Sequence, residues 1–223
     1  MTNLRFAPPD LGTVLLFTGL PGGSNKIHDR SPYGNIGTIT GATWVRLPSG
    51  LWCLSFDGND DQVDCGSVTS FDITDALTIE VWVNVSSYTD FRYIVAKGAD
   101  KYALYNKQTS GDLEFWLNLS GGSVHPDTPF TPGTDTWAQV VATYNKDGGS
   151  NNTKIYINGV VAKQETNTGT INTDTNSLYV GRRLGAACPF HGSIALPRVY
   201  NRALNALQIH DDFNREKHLF GVW

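Results

Sequence analysis

The segment Thr153-Lys154-Ile155-Tyr156-Ile157-Asn158-Gly159-Val160-Val161 leaves the backbone few choices. Asn158 and Gly159 both tolerate positive φ, so the pair builds a type I′ turn whose twist matches two flanking antiparallel strands. Just upstream, Trp137-Ala138-Gln139-Val140-Val141-Ala142-Thr143-Tyr144 is β-branched, aromatic or small throughout, which suits a half-buried strand. A long strand, a loop rich in Gly and Asn, and a tight hairpin make an antiparallel sheet. The remaining segments then have to pair with that sheet or pack on it.

Composition agrees with many strands and turns. Only 17% of the 223 residues are charged, 11% are aromatic and 23 are Gly. A chain of this length buries enough core to need neither disulfide nor metal for stability, and with no break in composition and no repeat it reads as one domain over 1–223. The net charge is −4 and no basic run exceeds Arg182-Arg183, which excludes a nucleic-acid footprint. No apolar run is long enough to span a membrane. The start, Met1 to Arg5, lacks the basic-then-apolar pattern of a signal peptide. The three cysteines form neither a disulfide framework nor a zinc pattern. If Gly58-Asn59-Asp60 closes a hairpin, Cys53 and Cys65 face each other across it. That leaves a cross-strand bridge or two small buried thiols, and the frequent burial of free Cys favours the second.

Taken in order, residues 1–12 are irregular. Strands are expected at Thr13–Thr18, Gly37–Thr40, Thr43–Leu47, Leu51–Phe56, Gln62–Cys65, Leu77–Val85, Phe91–Ala96, Lys101–Tyr105, Leu113–Leu119, Ser177–Gly181 and His191–Tyr200, besides the central segments. Leu20 to Gly34 reads as a loop. Alternation places Ile79, Val81, Val83 and Val85 on one face and Thr78, Glu80, Trp82 and Asn84 on the other. Similarly, Trp52, Leu54 and Phe56 oppose Leu51, Cys53 and Ser55. Near the end, Asn205 caps a short surface helix and Gln208 completes a capping box. Leu207 with Asp211, and Ile209 with Phe213, supply its i, i+4 spacing.

Seven segments, in order, resemble one family. They are the loop Asp29-Arg30-Ser31-Pro32-Tyr33-Gly34-Asn35-Ile36-Gly37, then Leu54 to Asp61, and then Leu77-Thr78-Ile79-Glu80-Val81-Trp82-Val83. Trp137 to Tyr144, Lys154 to Gly159, Leu178 to Gly181, and Phe190 to Ile194 running on to Leu204 complete the set. The pattern resembles the laminin-G-like, concanavalin A-like jelly roll found as a ligand-binding module in microbial proteins. The resemblance implies an all-β fold: an antiparallel two-sheet jelly-roll sandwich with one short C-terminal helix and a core from about Thr13 to Phe213. Two positions depart from the family. Gln139 stands where His is frequent, and Ala195 and Leu196 stand where the family often has acids near a calcium site.

Candidate sites follow from residue types. Asp57, Asn59, Asp60 and Asp61 crowd one turn, and calcium takes six to eight oxygens of the kind such a turn offers. Asp57 and Asp60 are the leading ligands, and the alternative is an ordinary Asp-Gly turn bonding its own backbone. Glu80 has no carboxylate two residues away on its face, so the paired acids of a glycosidase are missing. No Tyr/His base with cationic neighbours of a lyase is evident, since the histidines are scattered along the chain. Sugar recognition needs exposed aromatics for stacking and amides for hydroxyls. Tyr88, Tyr93, Tyr102, Tyr105 and Trp116 are candidates for the first role, and Asn106, Asn118 and Gln139 for the second. The expected function is a non-catalytic module that recognises a glycan or a glycosylated surface and carries a structural calcium, with an extracellular or virion-surface location. The alternative is a structural surface protein, such as a capsid decoration or tail component, assembling as a homo-oligomer or in a virion. A polysaccharide-degrading enzyme is the third reading.

Overall fold

The computed structural model describes residues 11–223 apart from 20, 22, 23, 131, 186 and 187. The irregular start and the leader-free N-terminus expected from sequence therefore lie largely outside the described residues. Seventeen strands are present among those described. They are β1 (Thr13–Leu16), β2 (Lys26–His28), β3 (Ile36–Thr40), β4 (Thr43–Arg46), β5 (Trp52–Asp57), β6 (Gln62–Asp64), β7 (Ala76–Val85), β8 (Arg92–Lys97), β9 (Tyr102–Asn106), β10 (Leu113–Leu119), β11 (Gly122–Val124), β12 (Asp127–Thr128), β13 (Trp137–Asn145), β14 (Thr153–Ile157), β15 (Val160–Glu165), β16 (Leu178–Val180) and β17 (His191–Tyr200). One α-helix, α1 (Ala206–Glu216), follows, and a 3₁₀ turn at Lys217–Phe220 ends the chain.

The strands form two antiparallel sheets. Sheet I has eight strands in the order β15-β14-β13-β7-β17-β5-β4, with β1 also on β17. Sheet II has nine, in the order β11-β10-β9-β8-β16-β6-β3-β2, with β12 also on β10. The inward residues of both sheets share one core. Ile79, Val81, Val83 and Val85 meet Ile94, Leu104, Phe115 and Leu117 there, all fully buried. The Asn158-Gly159 turn joins β14 to β15, with φ of 51° and 76° at its two residues. Gly192 in β17 has φ of 139°, and a Cβ there would lie 2.1 Å from the Asn84 carbonyl oxygen. Only glycine lets these central strands approach so closely.

Several local expectations change. Lys26–His28, expected as loop, is an edge strand on β3; three residues are too few to show a period. β11 and β12 are likewise too short to read from pattern. The acidic turn after β5 is no hairpin. It carries the chain from sheet I to sheet II, so Cys53 and Cys65 lie in different sheets. Both are buried free thiols, Cys65 in the main core and Cys53 on the far face of β5. Leu207 on α1 is 68% exposed, so the packed stripe of the helix runs through Ile209 and Phe213 instead.

The helix closes the outer face of sheet I. Asn205 accepts from the Gln208 N–H while the Gln208 side chain accepts from the Asn205 N–H, forming the capping box. Trp82 stacks with Phe220, 4.1 Å away, and with Phe213, 5.8 Å away. Its indole N–H donates to Glu216 Oε2 at 2.9 Å. Beside it, Arg198 bonds both Glu80, at 3.1 Å, and Glu216. Gln139 Nε2 (2.8 Å) and the Tyr200 hydroxyl (3.1 Å) also donate to Glu80. Burial raises the Glu80 carboxyl to about 7 against the pull of Arg198, with Asp212 and Glu216 adding repulsion. No helix among the described residues is long and apolar enough to cross a membrane.

Candidate functional site

The helix packs on the middle of sheet I, and the outer face of sheet II carries no helix among the described residues. Strand register fixes what lies on it, because residues paired across strands share a face. One row crosses seven strands: Lys26, Thr38, Asp64, Tyr179, Ala96, Ala103 and Trp116 follow one another through β2, β3, β6, β16, β8, β9 and β10 in successive pairs. Tyr179 and Trp116 thus stand about 14 Å apart, three strand spacings, with two alanines between them. The next row holds Tyr93, Tyr105, Glu114 and Asp127.

These side chains form a cluster separate from the core, in which Tyr93, Ala96, Ala103 and Tyr105 are buried and Trp116 and Cys188 pack against them. The Tyr93 and Tyr105 rings stack at 4.5 Å. Phe91, 37% exposed, meets Tyr105 edge-on at 5.9 Å. His125 stands edge-on to Trp116 with centroids 3.8 Å apart. Polar groups converge on the same patch. Glu114 accepts from the Tyr105 hydroxyl and faces His125 Nδ1 at 3.2 Å and Lys107 at 3.8 Å. Lys107 also pairs with Asp127 at 2.9 Å, and that bond is the leading cause of its raised pKa. Arg183 pairs with Asp100 at 2.7 Å and lies 5.8 Å over the Tyr93 ring. Three buried polar atoms on this patch have no protein partner: Trp116 Nε1, Asp100 Oδ1 and Arg183 Nε.

The expected ligand residues divide by face. Trp116, Tyr105 and Asn118 belong to this outer face, although Tyr105 itself is buried under its neighbours. Tyr102 points the other way. It is buried in the main core, where its hydroxyl donates to the Phe71 carbonyl at 2.9 Å, so it offers no stacking surface. Asn106 is fully buried and donates to the Gly111 carbonyl at 2.9 Å. Gln139 lies under the helix on Glu80. Neither amide is accessible to a sugar. Asn118 is half-buried and accepts from Asn172 at 2.6 Å. Tyr88 packs at the rim against Phe130, its ring pressed on Gly111, and burial raises its hydroxyl pKa to about 12. Glu114, Asp100, Arg183 and His125 complete the patch and were not expected. The polar Glu114 between Leu113 and Phe115 was the available sign of an outward position, whereas Asp100 and Arg183 come from loops distant in sequence. The histidines are not all scattered, because His125 and Tyr105 meet on Glu114. Burial and the Glu114 hydrogen bond and charge all raise the Tyr105 pKa.

At the rim, Asp57, Asp60 and Asp61 each place a carboxylate oxygen within 4.8 Å of the others. Asp57 accepts from the Asn59 N–H at 2.8 Å and from the Asn59 amide at 3.0 Å, which lowers its pKa. Asp61 accepts from the Asp57 N–H at 2.8 Å. Its pKa is raised, first by burial and then by repulsion from Asp57 and Asp60, despite that bond. Three hard oxygen donors held close against their own repulsion fit a cation such as calcium. Asn59 instead uses its amide to clamp Asp57. Ala195 and Leu196, where the family often has acids, are buried beneath Leu219 and Phe220. They serve the closing of the helix rather than the rim.

Comparison with known proteins agrees with this architecture. No match is found among curated proteins. Among solved structures, the binding domain of Paraclostridial Mosquitocidal Protein 1 superposes with a TM-score of 0.74 at 16% identity, over 95% of this chain and 55% of that one. Domain 4 of AbnA, an extracellular arabinanase from Geobacillus stearothermophilus solved in complex with arabinotriose, gives 0.69 at 19% identity, over 90% of this chain and 98% of that one. A botulinum neurotoxin type C structure, whose cell entry depends on two ganglioside molecules, gives 0.66 at 15% identity, over 91% of this chain and 51% of that one. The chain thus spans only about half the length of the toxin chains it matches. A family model described as the concanavalin A-like lectin/glucanases superfamily matches residues 57–210. With that match over more than half its length, and two antiparallel sheets closed by one C-terminal helix, the chain belongs to the concanavalin A-like lectin/glucanase superfamily.

Proposed function

We propose that this chain is a non-catalytic recognition module that binds a glycan or a glycosylated surface on the outer face of sheet II. The observation that carries this is the patch around Trp116, where aromatic rings adjoin buried polar atoms that lack protein partners. Such atoms are costly unless a ligand or solvent satisfies them. Rings beside a few placed donors and acceptors are the usual make-up of a sugar site. Related folds that meet arabinotriose or gangliosides support the same class of ligand. Catalysis is not part of the proposal. Glu80 is buried under α1, and its same-face neighbours are Thr78 and Trp82.

The test is a glycan array followed by titration calorimetry on any bound sugar. Trp116→Ala should weaken binding by about 2 kcal/mol, roughly thirtyfold in Kd. Full affinity in that variant, with the fold intact, rules out this face.

The acidic turn enters the proposal as a calcium site that stiffens the rim, with Asp57, Asp60 and Asp61 as carboxylate ligands. Calcium at a hundredfold excess over its Kd should stabilise the wild type by about 3 kcal/mol in thermal melts. Asp57→Asn with Asp60→Asn should abolish that gain. A wild type that melts identically in calcium and in chelator contradicts the site.

A further inference from the structure

At one end of the sandwich lies a cleft of about 390 Å³, within the size range of small-ligand sites. It shares no residue with the Trp116 patch. Asn201, on its wall, follows the end of β17, whereas Asp57 pairs with the start of that strand, so the cleft and the acidic turn lie at opposite ends. Two loops complete it. Residues 69–76 lead into β7, and Phe71 and Ile73 anchor them in the main core. The Phe71 carbonyl accepts from the Tyr102 hydroxyl at 2.9 Å, and the Thr74 carbonyl from the Ile171 N–H at 2.8 Å. Tyr33 comes from the loop between β2 and β3, where buried Asp29 holds Ser31. The Ser31 hydroxyl oxygen in turn accepts from the Tyr33 N–H at 3.3 Å. Both loops are therefore fixed before a ligand arrives, which lowers the cost of binding.

The groups that line the cleft are open to solvent. Tyr33 is 53% exposed, and Thr69, Thr74, Asp75 and Asn201 are exposed as well. Among the described residues, the side chains of Tyr33, Thr69, Thr74 and Asn201 have no protein hydrogen bond. Asp72 is buried at Oδ1, against Lys97 at 3.1 Å, yet its side chain is 34% exposed, and Oδ2 is the oxygen left to accept. Asp75 meets Lys146 at 3.1 Å. We propose that this cleft is a second binding site, separate from the sheet II face, for an uncharged sugar that stacks on Tyr33 and hydrogen-bonds Asp72, Asp75 and Asn201. Sugar hydroxyls donate to the carboxylates and accept from the Asn201 amide, while Thr69 and Thr74 serve in either sense. Charge excludes the other ligand classes. No cation lines the cleft, and Lys97 and Lys146 are each shared with a further acid, Asp174 at 3.3 Å and Asp147 at 3.9 Å, so an anion meets unopposed carboxylates. An ammonium or a metal ion meets a lysine already seated on each carboxylate it needs.

The test is an amide NMR titration of the full chain with single sugars. Glucose, glucosamine and glucuronate share one ring and differ in charge, and galactose, arabinose, xylose and maltose extend the neutral series. At least one neutral sugar should give saturable shifts in residues 69–76 and Asn201, and should bind there at least about tenfold more tightly than glucosamine or glucuronate. Tyr33→Ala and Asn201→Ala should each weaken that binding about tenfold. Both side chains are exposed, and thermal melts check that each variant keeps its fold. Shifts in the cleft should persist in Trp116→Ala, because the two sites share no residue. Shifts that vanish in Trp116→Ala and survive Tyr33→Ala and Asn201→Ala overturn the cleft and leave the sheet II reading standing. Tighter binding of glucosamine or glucuronate in the cleft overturns the choice of an uncharged sugar. A cleft that responds to no member of the series overturns the site itself, whether or not the Trp116 face binds.

Discussion

Replacing Arg198 with methionine is expected to destabilise the fold by about 3–5 kcal/mol, a large share of the 5–15 kcal/mol typical of a domain. Arg198 is the cation between two buried carboxylates, Glu80 and Glu216. Methionine preserves most of the packed volume but strands both acids beneath the helix. The loss should be largest at high pH and shrink on acidification, because protonation then neutralises the stranded carboxyls. Changing Glu80 and Glu216 to Gln in the same variant should restore most of the stability, since a neutral packed cluster can match a buried ion network. The wild type carries a related pH signature. Burial lifts Glu80 from 4.5 to about 7, so the native state holds a proton that the unfolded chain releases. The contribution from this group is therefore fully present below about 4.5 and is lost as pH rises to about 7. Urea titrations across that range should show this slope, and Glu80→Gln should flatten it. An Arg198→Met protein as stable as the wild type at pH 8 contradicts the assigned network.

Asp29→Ala should cost about 3 kcal/mol or more. Asp29 is buried and accepts from five donors in the loop between β2 and β3 and from β1. Its Oδ1 takes the N–H groups of Leu16 and Ser31, both at 2.8 Å. Its Oδ2 takes the Ser31 hydroxyl at 2.7 Å and the Asn35 amide at 2.8 Å, and receives the Asn35 N–H at 3.2 Å. Each buried donor left unsatisfied costs about 1–3 kcal/mol, and partial rescue by water keeps the total below the sum. The loop shape is thus explained by folding: it ties sheet I to the edge of sheet II. The urea midpoint should fall with little change in slope. Asp29→Asn, which keeps one acceptor, should lose less than the alanine variant. Equal losses in both would show that charge, rather than the number of acceptors, sets the effect.

Much of the fold was legible because alternation and turn chemistry are local. The face assignment of Ile79 to Val85, the Asn158-Gly159 hairpin and the Asn205–Gln208 capping box all follow from residues within a few positions of one another. The sheet crossing after β5 was not legible, because an Asp-Gly turn looks alike whether it closes a hairpin or changes sheets. The binding face was legible only in part. Tyr102 and Tyr105 are three residues apart on one strand and so must point to opposite faces, but sequence does not say which face a helix will cover. Asn106 and Gln139 were sought for their amides and are consumed by the fold. Asp100 and Arg183 lie 83 positions apart and meet only because the loop after β16 returns over β8 and β9.

The most direct test of the account is an NMR titration of labelled protein with a neutral oligosaccharide returned by the glycan array. The Trp116 indole N–H, assigned through Trp116→Phe, should shift in a saturable way together with signals from Tyr93, Asp100 and Arg183, while the Trp82 indole under the helix stays still. Saturable shifts confined to the Asp57–Asp61 turn or the helix-covered face, with the Trp116 indole unmoved, would contradict the assignment of the sheet II face as the ligand site.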